Sequence, residues 1–335
     1  MREPRFWARD VDPRSREAAP LLRILLSPLS WLYAEVTRRR IANATPLKVR
    51  PIIICIGNLT AGGVGKSPIV EALREDLAQS TGLRVATLSR GYKGKLKGPL
   101  RVDPNVHTAA DVGDEPRMLA ATGETWIGAD RAATGQVMSN DGVDIVVMDD
   151  GHQNPHLHKD ISIVVVDAAA GFGNGYVIPK GPLRETIDRG LARADAVIVM
   201  GHASPPEALS DLGIPVFKAE LVATKAPPVG PYVAFAGIGR PEKFFDTLRL
   251  LDVDVKDAVP FPDHHTFTDG DLRYLHRLAE DYHADLITTE KDLARLRSDQ
   301  RQDIHALPVA VRFDRKEDLD KLLVNVINPP PDDQA

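Results

Sequence analysis

Residues 52–78 read IIICIGNLTAGGVGKSPIVEALREDLA, and this stretch decides the architecture of the chain. Its first five side chains are apolar and nearly all β-branched, as in a strand buried on both faces of a parallel sheet. Gly62, Gly63 and Gly65 follow, and then Ile69, Val70, Leu73 and Leu77 fall at helical spacing. The order is strand, loop, helix. Glycines in such a loop leave backbone amides open to a phosphate chain, Lys66 reaches the terminal phosphates, and Ser67 offers a hydroxyl to Mg²⁺. The dipole of the helix behind the loop adds to the attraction. The run Thr60, Ala61, Gly62, Gly63, Val64, Gly65, Lys66, Ser67 is therefore read as a nucleotide-phosphate cradle, with Thr60 where the consensus G-x-x-x-x-G-K-[ST] has its first glycine. A plain glycine turn beside an incidental lysine is the competing explanation. The buried strand in front and the Gly-Lys-Ser ending weigh against it.

A second buried strand, DIVVMDD at 144–150, ends in two carboxylates, the usual way of bringing acid to a phosphate-bound cation and its waters. Asp149 and Asp150 are the candidates. Between these strands LRVATLSRGYKGK predicts a strand over Val85–Leu88 that delivers Ser89, Arg90, Gly91 and Tyr92 to the same carboxyl edge, where open parallel sheets bind ligands. Asp114 and Glu115 precede a helix in DVGDEPRMLA, and Arg131 lies in GADRAATG; helix capping explains these acids equally well. Further strands are predicted at Ile163–Val166 and Ala196–Met200. The alternation implies a P-loop NTPase-like three-layer α/β/α sandwich with a mostly parallel sheet. After the proline-rich passage KAELVATKAPPVGP, new signals begin at Tyr232 and run through LITTEKDLARL to VAVRF, predicting a smaller α/β domain. The expected division is a helical N-terminal segment at 1–44, a kinase-like domain at 45–223, the smaller domain at 224–328 and a polar, disordered tail at 329–335.

With 335 residues, 43% hydrophobic and 27% charged, the chain has the size and composition of a two-domain globular protein. A net charge of -5 argues against the broad basic surface that nucleic acid needs as a partner. Cys55 is the one cysteine, so neither an intrachain disulfide nor a thiolate metal cluster can form, which fits a reducing, cytosolic environment.

The charge is uneven: the first fifty residues carry ten Arg and one Lys against five acids. Within them ILLSPLSWLYA, Ile24–Ala34, holds no charge, yet as a helix it reaches only about 16 Å, against about 30 Å of bilayer hydrocarbon. It is too short to span. A late start, no small-residue cleavage site and the following Arg38, Arg39 and Arg40 also argue against a secretory signal. Two readings remain, an interfacial helix whose arginines meet anionic phospholipid and a helix docked on the protein's own core, and the basic flanks tilt toward the membrane. Pro28 is expected to kink the segment or to start a second helix.

Taken together, GNLTAGGVGKSP (57–68), SRGY (89–92), DVGDEP (111–116), DDGHQ (149–153), GFGNG (171–175), PKGPLRE (179–185), GIGRPEKFF (237–245), DHH (263–265) and TEKD (289–292) make the chain resemble the tetraacyldisaccharide 4′-kinases of lipid A biosynthesis, peripheral inner-membrane enzymes. Nine blocks in order are far more specific than a phosphate loop alone. The resemblance implies that ATP phosphorylates the 4′-hydroxyl of a tetraacylated disaccharide 1-phosphate to give lipid IVA, on the cytoplasmic face of the inner membrane, in a protein expected to be a monomer. It implies that Lys66 and Ser67 meet phosphate and Mg²⁺, that Asp149 and Asp150 form the acidic strand end, that Asp114 is the base paired with His264, and that Glu115 supports the metal. Arg90, Tyr92, Arg131, Gln153, Arg184 and Glu185 would line the nucleotide or lipid-substrate site. Ser67 replaces the commoner threonine and keeps the hydroxyl; His152 and Asn154 stand where Phe and His are usual. His152, His156 and His158 are read as loop residues rather than metal ligands, since no carboxylate or cysteine sits at ligand spacing.

Phosphoryl transfer asks the protein mainly for positioning, charge neutralisation and a proton acceptor. Asp114, oriented by His264, fits the last role, and because His264 lies in the second domain, closure over the substrates is expected. The alternative function is a P-loop nucleotide switch or metallocentre-maturation protein. Such proteins commonly carry a lysine just before the double glycine, where this chain has Ala61.

Overall fold

A computed structural model describes residues 4–12, 14–263 and 265–328. His264 and the tail expected at 329–335 lie outside them. The chain divides into two compact units, residues 221–310 and, for the rest, a larger unit.

In the larger unit the strands are β1 (Ile52–Gly57), β2 (Val85–Ser89), β3 (Leu100–Arg101), β4 (Thr125–Ile127), β5 (Ile145–Asp149), β6 (Ile161–Asp167), β7 (Ala196–Met200) and β8 (Val216–Ala223), the last of which runs out into the smaller unit. Its helices are α1 (Pro20–Ala42), α2 (Lys66–Thr81), α3 (Ala109–Val112), α4 (Asp114–Thr122), α5 (Arg131–Asn140) and α6 (Ile187–Leu191). The smaller unit contributes β9 (Pro231–Ala236), α7 (Pro241–Leu250), β10 (Asp254–Pro260), α8 (Asp269–Tyr282), β11 (Asp285–Thr289), α9 (Glu290–Arg295) and β12 (Ile304–Leu307). The chain then returns through β13 (Val309–Phe313) and α10 (Lys316–Ile327).

The large sheet runs β13-β8-β7-β6-β1-β5-β2-β4-β3. Ladders from β4 through to β8 are parallel, and β3 is antiparallel to β4. Ile53 and Cys55 pack with Met138 of α5, whereas α2 lies against β1, β2 and β5 outside that cluster, so alternate strand residues meet helices on the two faces. The expected α/β/α sandwich is what forms. Because β1 is flanked by β5 on one side and β6 on the other, the chain reverses its winding there, and the crevice at the carboxyl ends of such strands is where ligands bind. The smaller unit is a four-stranded sheet, β10-β9-β11-β12, parallel throughout.

Two expectations need correction. The smaller domain, expected over 224–328, ends at 310: VAVRF forms β13 beside β8 in the large sheet, and α10 belongs to the larger unit. Pro28 does not start a second helix: it lies inside α1, a single helix of 23 residues. Residues 24 and 28 are both exposed, on the side of the helix where water can satisfy a carbonyl that a proline leaves without its donor.

α1 settles neither of its two readings by excluding the other. Ser30 is buried and donates to the carbonyl of Val177 (2.6 Å), and Ala34 packs against the core around Leu59 and Val177. The remaining surface of the helix exposes Leu21 (77%), Ile24 (68%), Leu25 (73%), Trp31 (70%) and Val36 (57%). That is a contiguous apolar face of the kind that marks a contact with membrane or partner. Among the described residues no helix is long and apolar enough to cross a membrane.

Candidate functional site

The loop after β1 turns on glycines, two of them, Gly62 and Gly65, at positive φ. Gly65, at φ +88°, opens α2, and a side chain there would meet Met200. A side chain on Gly63 would meet nothing within 4 Å, so this part of the loop borders open space. No side chain caps the start of α2, which leaves its first amides for a ligand. The front of the loop is closed instead: the Ala61 amide donates to the Pro182 carbonyl (2.7 Å), and buried Thr60 bridges to Leu183. Donors for phosphate therefore come from Gly62 onward.

Lys66 is held ready rather than loose. Its Nζ donates to Asn58 Oδ1 (3.0 Å) and pairs with Asp150 (3.4 Å). Asn58, fully buried, also donates through Nδ2 to the Thr60 carbonyl (2.7 Å), which ties the lysine to the start of its own loop. Sequence reasoning passed over Asn58. Its signal was a polar residue set directly after an apolar strand.

The two acids ending the second strand have opposite fates. In the parallel ladder Asp149 stands beside Ile56 of β1, and Ser89, at the end of β2, donates to its Oδ2 (3.3 Å). Its Oδ1 is buried with no hydrogen-bond partner. Burial, with repulsion from Glu115, pushes the Asp149 carboxyl up to about 7 against the pull of Lys66. Asp150 adopts φ +53° and turns to other company. Arg184 Nη1 donates to both of its oxygens (2.8 and 3.0 Å). Burial alone would raise this carboxyl, but Lys66 and Arg184 outweigh it and hold it at about 2.

Glu115, in the first turn of α4, accepts from Ser67 Oγ (3.5 Å), so Ser67, Glu115 and Asp149 face one another. Asp114 precedes it as the first residue of α4, half-buried. The loop delivering both acids is locked by Gly113, at φ +95°, where a side chain would strike the Tyr92 carbonyl. Arg131 is buried at the start of α5, donates to the Gly128 carbonyl (2.6 Å), leaves its Nε without a partner, and has Arg90, Asp149 and Asp150 as charged neighbours. Arg90 and Tyr92 are exposed. Gln153 donates to the Asn58 carbonyl (2.9 Å) and to Glu185 (3.0 Å), and buried Glu185 pairs with Arg193 (2.8 Å), a partner the sequence did not announce. One unit thus gathers every expected site residue except His264, whose pairing with Asp114 lies outside the described residues.

Among the described residues, no three His, Cys, Asp or Glu side chains are arranged to hold a metal ion by themselves. Ser67 and the orphaned oxygen of Asp149 suit a cation that takes its other ligands from phosphate and water, as Mg²⁺ prefers. His152 has a packing role: Gly190's carbonyl can only accept, so Nε2 carries the proton (2.9 Å) and Nδ1 accepts from Ser162 (2.8 Å). Burial pushes it down to about 4, keeping it neutral.

Residues 22–328 match the family described as Tetraacyldisaccharide-1-P 4'-kinase. A tetraacyldisaccharide 4'-kinase of Hyphomonas neptunium is 53% identical over 326 residues, covering 97% of this chain and 98% of its own. Another, of Maricaulis maris, is 51% identical over 335 residues, covering 98% and 97%. The crystal structure of LpxK from Aquifex aeolicus in complex with ATP superposes with a TM-score of 0.70 at 27% identity, over 91% of this chain and 99% of that one.

Proposed function

Because this chain belongs to the tetraacyldisaccharide 4′-kinase family, we propose a division of labour among its residues for moving the γ-phosphoryl group of ATP to the 4′-hydroxyl of a tetraacyldisaccharide 1-phosphate. The chain is such a kinase, and the nucleotide-switch alternative is not favoured. The observation that carries the assignment is the meeting of Lys66, Ser67, Glu115, Asp149 and Asp150 around the loop after β1, with one carboxylate oxygen left unsatisfied.

ATP lies along residues 62–67. Lys66 exchanges Asn58 and Asp150 for the β- and γ-phosphates, and Arg184 keeps Asp150 ionised meanwhile. Ser67 and Asp149 would hold Mg²⁺, with Glu115 beside them. Held there, the cation would offset the negative charge on the phosphate oxygens. The sugar oxygen bonds to the γ-phosphorus as the bond to the β-phosphate oxygen breaks, and Asp114 accepts the hydroxyl proton. Arg131, buried near Asp149, adds positive charge beside the transferring group.

α1 lays its apolar face in the headgroup region of the cytoplasmic leaflet, with arginines 38 to 40 meeting anionic phospholipid. Arg40 also donates to the Gln153 carbonyl (3.3 Å), so this helix touches the loop that follows the acidic pair. ATP consumption in neutral detergent should require the acylated disaccharide, and Asp114→Ala should lower kcat by about 10²-fold or more with ATP affinity kept. Lipid phosphorylation at the normal rate by that variant would refute the base assignment.

A further inference from the structure

The contact of Ser67 with Glu115 is one end of a longer fastening between α2 and α4. Seven residues on in each helix, about two turns and so the same face, α2 presents Arg74 and α4 presents Thr122. These meet as well. Arg74 Nη2 donates to Thr122 Oγ1 (2.6 Å), and Nη1 donates to the Leu119 carbonyl (2.8 Å) and to Thr125 Oγ1 (3.5 Å). The two helices therefore run parallel and in step, joined by one rung at the nucleotide site and a second about 10 Å below it.

The lower rung is buried and costly. Arg74 is 3% exposed, and the groups that accept from it are a carbonyl and two hydroxyls rather than a carboxylate. Burial pulls its pKa below the ordinary arginine value, against the opposing charges of Glu71 and Glu75. The end of α4 does not need this cation for its own sake, because the Leu119 carbonyl already accepts from the Gly123 amide (3.2 Å). Gly123 makes the room: a Cβ there would lie 2.6 Å from Arg74 Cζ, and its three nearest neighbours would all be atoms of Arg74. At φ 176° its backbone is extended and open to any residue, so it is the guanidinium that calls for glycine.

What depends on the lower rung is the upper one. α4 has only nine residues, and its first turn carries Asp114 and Glu115. A slip of one residue along α2 moves both carboxylates by about 1.5 Å relative to Ser67. Misplacement on that scale costs on the order of 10²-fold in rate.

We infer that Arg74 is a positioning residue, which pins the C-terminal end of α4 to α2 and thereby sets how Glu115 and Asp114 stand relative to Ser67. The inference rests on the kinase reading above and adds to it a residue two helical turns away from the substrates.

The test compares full-length wild type with R74M, R74K, G123A and R74M/G123A. One readout is turnover on the tetraacyldisaccharide 1-phosphate in neutral detergent. The other is affinity for a non-hydrolysable ATP analogue with and without Mg²⁺, which needs neither lipid nor chemistry. In R74M and in G123A, kcat should fall about tenfold or more, and the gain in analogue affinity on adding Mg²⁺ should shrink about as much. Metal-free analogue affinity and the KM for lipid should stay within about twofold of wild type. R74K, which keeps the charge and a donor, should recover part of the loss. R74M/G123A should be no worse than R74M, because the alanine methyl acts only through the guanidinium.

Wild-type kcat and Mg²⁺ gain in both single variants would overturn the inference. So would losses that multiply in the double variant, or that strike the lipid KM and the metal-free affinity equally. If R74M does not fold, G123A decides, since alanine fits its extended backbone. Wild-type protein that leaves the lipid unphosphorylated would sink the kinase reading instead, and the Mg²⁺ gain would then judge Arg74 alone.

Discussion

Asp149→Asn should make the metal-free protein more stable while abolishing its activity. Burial and Glu115 hold the Asp149 carboxyl at about 7 against an ordinary 3.8, and each pK step is about 1.36 kcal/mol, so ionising it in the folded state costs about 4 kcal/mol. The sign follows from proton binding. Between 3.8 and about 7 the folded chain binds the extra proton, so stability falls as pH rises through that window and the full cost is present above it. Asparagine removes the charge and can keep the bond from Ser89. Its advantage over wild type should therefore be about 4 kcal/mol at pH 8.5, about half that at pH 5.5, and absent below the ordinary carboxylate range. Urea unfolding in chelator, followed by tryptophan fluorescence, measures it, because Trp7, Trp31 and Trp126 all lie in the larger unit. Mg²⁺-ATP should then narrow the gap by stabilising wild type and not the variant. If the variant is no more stable at pH 8.5, or its advantage does not change with pH, the electrostatic account of Asp149 is wrong.

Asn58→Ala should raise the KM for ATP by about tenfold and leave that for the lipid alone, since a hydrogen bond to a charged group contributes about 1.5–3 kcal/mol; equal effects on both substrates would mean general damage. Replacing Leu21, Ile24, Leu25 and Trp31 together by serine should abolish vesicle sedimentation without lowering the melting temperature, because these side chains are exposed in the folded chain; undiminished sedimentation would refute the anchoring face. Burial pushes the Cys55 thiol up to about 11, so at pH 8 about a thousandth of it is thiolate and native protein should resist iodoacetamide until unfolded. Labelling of the folded chain at the rate of a free thiol would contradict its burial.

What the sequence disclosed and what it withheld divide along the range of the interactions. The strand, loop and helix around Lys66 were legible because each rests on local periodicity and on glycines at positive φ, where other residues are uncommon. VAVRF was misplaced because a five-residue strand reads alike in either sheet; only its partner, β8, decides, and that lies over eighty residues away. That Pro28 starts no second helix was hidden for the opposite reason, since the cost of a proline inside a helix depends on how exposed its surroundings are, and exposure cannot be seen in a string of letters. Asn58 escaped notice because its meaning is the lysine it holds, and Glu185 because its meaning is Arg193.

The adjacent acids show why a motif alone cannot assign roles. Asp149 and Asp150 are the same residue type, one peptide apart, yet a left-handed backbone at Asp150 turns it to Arg184 and Lys66 while Asp149 stays in the ladder beside Glu115. Asp150 is neutralised at rest, Asp149 carries an uncompensated burial cost, and Lys66 is drawn by both. Removing Lys66 to the nucleotide would deepen the cost at Asp149 unless another cation arrives with the phosphates. Nucleotide alone therefore worsens the electrostatics of this site and nucleotide with its metal relieves them, so binding of the two should be strongly cooperative for a reason contained in one unsatisfied oxygen.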